Sequence, residues 1–263
     1  MYGAITGDIA GSRHEHAGTK RLDFPFPDER SYITDDSVLT AATADAILYS
    51  GDGIPDYGTA YATWARKYPG AGYGGSFIKW MHAASGSRVP PPYGSFGNGS
   101  AMRVSPVGWL FDSDDDVLRE AENSAAVTHD HREGIKGAQA VALAVLRARG
   151  GASAPEIAEE IAERFGYTLA AGTDELRREY TFDVTCQGTL PAALRCVHEA
   201  TDFEHAVRLA VSLGGDADTL GCIVGSIVEP IFGVPEELRR FARTKMPGDM
   251  RRLVDAFEQV ARA

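Results

Sequence analysis

The apolar positions of this chain recur mainly with the period of about 3.6 residues that is typical of amphipathic helices. Alanine-rich stretches carry that period along most of the sequence, and alanine has the highest intrinsic helix propensity. No segment alternates between apolar and polar residues for long enough to build a sheet. The pattern therefore predicts an all-α domain with helices over Val38–Tyr49, Tyr57–Lys67, Val117–Val127, Gly134–Arg149, Ala154–Phe165, Leu190–Glu199, Glu204–Leu213, Leu220–Phe232, Glu236–Arg243 and Met250–Arg262.

Two of these helices, 134–149 and 220–232, carry few charges around their circumference, which predicts central elements surrounded by other helices. The small residues Gly221, Gly225 and Ser226 should let neighbouring helices come close to the second of them. The segment from Gly3 to Ser12 is glycine-rich as well, and we interpret it as a loop.

Composition narrows the class of protein. The chain of 263 residues contains no linker and no repeat of solenoid period, so we expect one domain over residues 1–263. A formal net charge of −11 argues against nucleic acid as the main partner, although not against a small nucleotide. Three cysteines without zinc spacing suit a reducing compartment. No signal peptide or membrane-spanning run is apparent, and we expect a cytoplasmic monomer.

Two acidic motifs, Thr34–Ser37 and Gly214–Thr219, each precede an apolar helical run. The first motif alone is typical of a helix N-cap with acidic residues in the first turn. In the second, Asp216 and Asp218 lie two residues apart, so they can converge on one ion, and we expect Thr219 to cap the helix behind them. Hard divalent cations prefer such oxygen ligands. The two motifs therefore predict a metal centre if folding brings them together.

Two further loops, 70–76 and 90–100, are rich in glycine and suited to anion binding through bare backbone N–H groups. Aromatic residues in these loops are candidates for stacking on a base. The sequence also contains His-Glu-His at 14–16 and His-Asp-His at 129–131. We interpret the first as surface residues, while the second fits a helix cap or a ligand-binding role. The aromatic candidates are Tyr73, Tyr93 and Phe96.

Taken together and in this order, five motifs resemble the ADP-ribosylglycohydrolase family, of the dinitrogenase reductase-activating glycohydrolase and ADP-ribosyl-acceptor hydrolase type. The resemblance extends over nearly the whole chain. The motifs are Gly7–Gly11 followed by Glu15, Thr34–Asp36, Gly72–Gly74, Gly97–Arg103 and Gly214–Thr219.

The resemblance implies an orthogonal all-α bundle whose central cleft holds two Mg²⁺ or Mn²⁺ ions. It implies catalytic roles for Glu15, on a flexible loop, and for Asp35 and Asp36, and a structural role for Asp8 behind them. The metal ligands that it implies are Thr34, Asp35, Asp36, Asp216, Asp218 and Thr219. The substrate-binding residues that it implies are Gly72, Tyr73, Gly74, Ser76, Ser95, Phe96, Gly97, Asn98, Gly99 and His129.

The activity implied is hydrolysis of the glycosidic bond between ADP-ribose and an acceptor. The acceptor would be an arginine or serine of a protein, or acetate in O-acetyl-ADP-ribose, and the Arg13–Ile33 loop matches no family pattern that would select among them. Two alternatives stay open. A dimetal nucleotide phosphohydrolase would use the same carboxylates, although such enzymes usually show histidine–aspartate ligand pairs. A non-catalytic ADP-ribose-binding module would not need the intact ligand set.

Overall fold

A computed structural model of the protein describes residues 1–51, 53–86, 88–169 and 172–261. Over these ranges the backbone forms helices and loops, with only two isolated β-bridges and no strand, so the all-α prediction is confirmed. The helices are α1 Tyr2–Gly11, α2 Asp35–Leu48, α3 Tyr57–Lys67, α4 Gly75–Ala83, α5 Gly99–Met102, α6 Ser105–Leu110, α7 Asp114–Ala126, α8 Arg132–Arg149, α9 Ala154–Phe165, α10 Thr173–Glu179, α11 Cys186–His198, α12 Phe203–Val211, α13 Ala217–Phe232, α14 Glu236–Lys245 and α15 Gly248–Ala261.

The prediction of a loop at 3–12 was wrong, because α1 is a fully buried helix packed along α13. Its glycines recur every four residues and form one face of the helix. A methyl carbon added to Gly7 would lie 1.9 Å from the carbonyl oxygen of Gly221, and one added to Gly3 would lie 2.2 Å from that of Gly225. These glycines therefore allow the two helix backbones to touch, as predicted for Gly221 and Gly225.

Every predicted helix is present, but most of them begin earlier than the apolar pattern indicated. The first turn of a helix is often polar, so periodicity underestimates it. Helix α13 begins at Ala217 with Asp216 as its N-cap, so Thr219 lies in the first turn and not at the cap. The predicted end of the last helix at Arg262 lies outside the described residues. The pattern also missed four shorter helices, α4, α5, α6 and α10.

Helices α8 and α13 form much of the core, as their low charge predicted. Every residue of α13 from Ala217 to Glu229 is buried, and α8 contributes a buried run from Ala140 to Val145. All three cysteines are buried and free, which fits the role of small apolar side chains. None of the described helices has the length and hydropathy needed to cross a membrane. This packing holds the N-terminus of α13 against that of α2.

Candidate metal and substrate site

The first turns of α2 and α13 meet at a cavity of about 390 Å³. The hydroxyl of Thr219 donates to Oδ2 of Asp36 over 3.3 Å, which joins residues 183 positions apart in the chain. The cavity is lined by fourteen of the predicted site residues: Glu15, Asp35, Asp36, Gly72, Gly74, Ser76, Ser95, Gly97, Asn98, Gly99, His129, Asp216, Asp218 and Thr219.

Asp8 on α1 organises the start of α2 from below the cavity. Its fully buried carboxylate accepts from the Thr34 backbone N–H over 3.0 Å and from the Thr34 hydroxyl over 2.7 Å. It also accepts from the backbone N–H of Ser37 over 3.1 Å and from the Ser37 hydroxyl. Thr34 in turn accepts from the Asp36 N–H as the N-cap. The N-cap interpretation of this motif is therefore confirmed, and the same helix start brings Asp35 and Asp36 to the cavity wall.

The carboxylates in the cavity lie close together, and Asp36, Asp216 and Asp218 are buried. Ligand oxygens of Glu15, Asp216 and Asp218 all lie within 4.8 Å of one another. The Oδ1 atom of Asp36 is buried and accepts no hydrogen bond within the described part of the chain. Burial, followed by the charge of Asp218, raises the pKa values of Asp35, Asp36 and Asp216 well above the ordinary range. A compensating positive charge is what this cluster needs.

The donor set suits a hard divalent cation. The candidate ligand atoms are carboxylate and hydroxyl oxygens, with no cysteine sulfur or histidine nitrogen among them, and this favours Mg²⁺ or Mn²⁺ over zinc. The buried Oδ1 atom of Asp36, which has no hydrogen-bond partner among the described residues, could coordinate a cation. Five of the six predicted ligands line the cavity, and Thr34 lies directly behind them with its hydroxyl held by Asp8. The residues present therefore fit a metal centre.

Glu15 lies at the edge of this cluster on the loop that follows α1. Its side chain is 27% exposed, and partial burial together with the charge of Asp218 raises its pKa. Lys20 holds the same loop against distant parts of the chain, because its Nζ donates to the carbonyl oxygens of Tyr180 over 2.8 Å and Leu213 over 2.5 Å. A carboxyl group with a raised pKa at a cavity mouth is suited to proton transfer.

The 70–76 loop forms one wall of the cavity. Gly72 adopts φ +104°, a backbone conformation that favours glycine, and its Cα lies beside the carboxylate of Asp35. Gly74 is the N-cap of α4, whose first N–H groups are available to an anion. Tyr73, by contrast, is not among the lining residues, and its buried ring stacks on Phe77 at 5.3 Å between centroids.

The opposite wall contains the Gly97–Gly99 turn. Nδ2 of Asn98 donates to Oδ2 of Asp216 over 2.7 Å, so Asn98 holds a carboxylate in place in addition to lining the cavity. The hydroxyl of Ser95 accepts from the N–H of Gly97 over 3.2 Å. Phe96 does not line the cavity. Its ring is 45% exposed and lies 5.3 Å from the ring of His131.

The two histidines of the His-Asp-His segment have different roles. His131 is the N-cap of α8 and accepts from the N–H of Glu133, whereas His129 is buried in the cavity wall. The sequence assigned no role to several other lining residues. Arg103 carried the best signal, since it closes the Gly97–Arg103 motif. Tyr93, which was a candidate only for stacking on a base, also lines the cavity. The remaining unassigned residues are Leu39, Gly75, Phe77, Met102 and Val184.

Comparison with known proteins decides the class of enzyme. The profile of the ADP-ribosylglycohydrolase family matches residues 1–262. The chain belongs to this family. It is therefore an ADP-ribosylglycohydrolase, as the five motifs indicated, and the cavity at the start of α2 and α13 is its candidate active site.

The relatives are distant but extend over most of the chain. ADP-ribosylhydrolase ARH3 of Homo sapiens is 26% identical over 309 residues, covering 90% of this chain and 85% of the relative. ADP-ribosylarginine hydrolase Tri1 of Pseudomonas putida is 24% identical, covering 89% of this chain and 70% of the relative. A solved structure of an ADP-ribosylglycohydrolase-related protein complex superposes with a TM-score of 0.69 at 24% identity, covering 98% of this chain and 93% of that one. This last likeness shows the shared fold.

Proposed function

We propose that this ADP-ribosylglycohydrolase uses two divalent cations, Mg²⁺ or Mn²⁺, to cleave the bond between ADP-ribose and an arginine or serine of a protein, or the acetyl ester of O-acetyl-ADP-ribose. The observation that carries the proposal is the convergence of both acidic motifs on one cavity, joined by the hydrogen bond between Thr219 and Asp36. Asp35, Asp36, Asp216, Asp218, Thr34 and Thr219 would hold the ions.

Different residues of the cavity can act on the sugar ring, the attacking water and the leaving group. Cleavage at the anomeric carbon of ribose develops positive charge on the sugar ring and requires a proton at the leaving group. Carboxylates on one side of the ring stabilise that charge, and Asp35 or Asp36 can orient the attacking water. Glu15 at the cavity mouth is placed to exchange a proton with the leaving group. When bound, divalent cations would polarise water and the ribose hydroxyls.

The remaining walls suit the rest of an ADP-ribose molecule. The exposed N–H groups at the start of α4 and the Gly72–Gly74 turn suit the diphosphate. The Gly97–Gly99 turn lies on the opposite wall with Ser95 and His129. We place the adenosine half there, and we keep Phe96 at the rim as its stacking partner. An acidic cavity mouth would attract a guanidinium, which supports arginine among the acceptors, as does the likeness to a relative named ADP-ribosylarginine hydrolase.

Side-by-side kinetics on defined peptides test the proposed linkage. Arginine- and serine-linked ADP-ribosyl peptides and O-acetyl-ADP-ribose should be compared with ADP-ribosylated nucleic acid, each with Mg²⁺ or Mn²⁺. We expect release of free ADP-ribose from at least one of the first three substrates. Release only from nucleic acid would contradict the proposed substrate class, and release of inorganic phosphate would favour the phosphohydrolase alternative.

Replacement of Glu15 by glutamine should separate the acceptors. A serine alkoxide leaves poorly without a proton donor, so Glu15→Gln should lower turnover of the serine-linked peptide by about a hundredfold, within the usual range for general acid–base catalysis. Arginine-linked ADP-ribose already carries a protonated guanidinium, which departs as a neutral guanidine with less assistance, so the arginine-linked peptide should lose less. Glu29→Gln, the same change at a largely exposed glutamate later in the 13–33 loop, is the matched control. Equal losses on both peptides would assign Glu15 to substrate gating.

Metal removal should make stability depend on pH in a defined direction. Carboxyls whose pKa is raised by folding bind more protons in the folded than in the unfolded state, so stability falls as pH rises from about 4 through their folded pKa values. We expect the melting temperature in chelator to be higher at pH 5.5 than at pH 8. Added Mg²⁺ should restore most of the loss at pH 8, because the ion supplies the missing charge. A melting temperature independent of both pH and Mg²⁺ would contradict a metal centre here.

A further inference from the structure

His129 occupies a position in the cavity wall from which one ring nitrogen can reach a ligand. The side chain is 5% exposed, and a methyl carbon added to Gly99 would stand 3.3 Å from its Nε2 atom. Nε2 therefore borders the Gly97–Gly99 turn that lines the cavity. The other nitrogen, Nδ1, points away from the cavity and lies 2.7 Å from the hydroxyl oxygen of Thr128.

The Thr128 hydroxyl lies between a cation and the imidazole of His129. Nη2 of Arg103 donates to its oxygen over 2.9 Å. A hydroxyl can accept two hydrogen bonds and donate one. The positive charge of Arg103 polarises this hydroxyl toward donation, and it favours the unprotonated nitrogen of the imidazole on the side that faces it. Thr128 is therefore oriented to donate its proton to Nδ1 of His129 over 2.7 Å.

Arg103 is a rigid donor in this arrangement. Its guanidinium is 1% exposed, lies over the ring of Tyr61 at 4.1 Å and donates to the carbonyl oxygen of Ser124 over 3.1 Å. An arginine stays charged at all relevant pH values and only donates hydrogen bonds. Burial, followed by the charge of Arg103, lowers the pKa of His129 well below its ordinary value, so its ring is uncharged. A neutral imidazole that accepts at Nδ1 carries its proton on Nε2.

We propose that Thr128 and Arg103 are positioning residues that hold His129 as a neutral imidazole with its proton on Nε2, directed at an acceptor oxygen of bound ADP-ribose. The inference rests on the proposed function, since it takes ADP-ribose as the ligand of the cavity. Thr128 is not among the residues that line the cavity, and Arg103, which does line it, acts here through Thr128. Their effect passes through the orientation and the tautomer of the His129 ring.

The proton positions can be read from long-range ¹H–¹⁵N correlation spectra of the histidine rings in the full-length protein. The sequence contains seven histidines, so the His129→Gln variant assigns the signal. In the wild type we expect the pattern of the Nε2–H tautomer. Thr128→Val keeps the shape of the side chain and removes the hydroxyl, so it should give a mixed or Nδ1–H pattern, and Thr128→Ser should restore the wild-type one. Arg103→Met, which removes the donor, should also give the mixed pattern.

Binding of ADP-ribose by calorimetry supplies the second readout. Thr128→Val should weaken binding by about fivefold, the equivalent of one ordinary hydrogen bond, while Thr128→Ser stays within about twofold of the wild type. An Nδ1–H tautomer in the wild type, or unchanged spectra and affinity in Thr128→Val, would overturn the inference. A wild type that shows the Nε2–H pattern and yet binds no ADP-ribose would instead overturn the proposed function, and with it the ligand named here.

Discussion

Asp36→Asn and Asp218→Asn should each lower turnover of an ADP-ribosylated peptide by at least about a hundredfold, because loss of a metal ligand removes several kcal/mol of transition-state stabilisation. Both side chains are buried in the cavity, and one oxygen of Asp36 has no other partner among the described residues. Steady-state kinetics at saturating Mg²⁺ or Mn²⁺ measure the effect. Full activity in both variants would remove these residues from the proposed metal centre.

The same substitutions should leave the fold intact. In chelator each variant removes a charge from a buried cluster of carboxylates that repel one another; burial first and then this repulsion raise the pKa of Asp36. The melting temperature at pH 8 should therefore stay unchanged or rise, while the stabilisation by added Mg²⁺ should disappear. Asp115→Asn, an exposed residue in the first turn of α7, is the matched control and should keep both activity and the Mg²⁺ response. A fall in stability would indicate a structural role for these carboxylates.

We expect these two substitutions to affect activity and stability in opposite directions because of the hydrogen bonds that hold the site in place. Thr34 and Asp8 hold the start of α2, while Asn98 holds Asp216 at the start of α13. These hydrogen bonds fix the backbone and leave carboxylate oxygens directed into the cavity. The acidic cluster is thus kept in place by packing and capping, and not by its own interactions.

The sequence predicted the parts of this arrangement that depend on local chemistry. Asp35, Asp36, Asp216 and Asp218 could be identified because each motif offers two carboxylates beside a threonine before a helical run, and paired glycines precede the second motif. Their convergence required the resemblance to a family, since no local pattern reports that residues 183 positions apart are neighbours. The roles of the glycines, of Ser95 and of His129 in substrate binding stay predictions, because position alone does not establish them.

Other features could not be predicted from the sequence, because they depend on contacts between distant segments. Glycine favours loops in isolation, so α1 was interpreted as one, although its glycines are placed for contact with another helix. The directions of Tyr73 and Phe96 are set by packing with Phe77 and His131, which no local pattern encodes. The role of the Arg103 side chain could not be predicted for the same reason, because its partners Ser124 and Thr128 lie in a later segment of the chain.

Gly7→Ala should destabilise the protein strongly, by about 3 kcal/mol or more, because overpacking against a rigid backbone cannot relax by rotamer change. The new methyl carbon would lie 1.9 Å from the Gly221 carbonyl oxygen, so α1 and α13 would have to separate. The sign of the change in stability identifies its cause, because alanine in place of a helical glycine normally stabilises a protein by up to about 1 kcal/mol. Urea unfolding of Gly7→Ala, beside Gly70→Ala in an open loop position as control, measures the difference.

This contact also connects the fold to the chemistry. Helix α1 carries Asp8 and leads into the Glu15 loop, and α13 begins directly after Asp216. Separation of the two helices would draw Asp8 and Glu15 away from the carboxylates of α13. Any Gly7→Ala protein that still folds should therefore bind Mg²⁺ more weakly and turn over substrate more slowly than Gly70→Ala. Wild-type stability in Gly7→Ala would show that the helices can move apart at little cost, which would contradict the close packing described here.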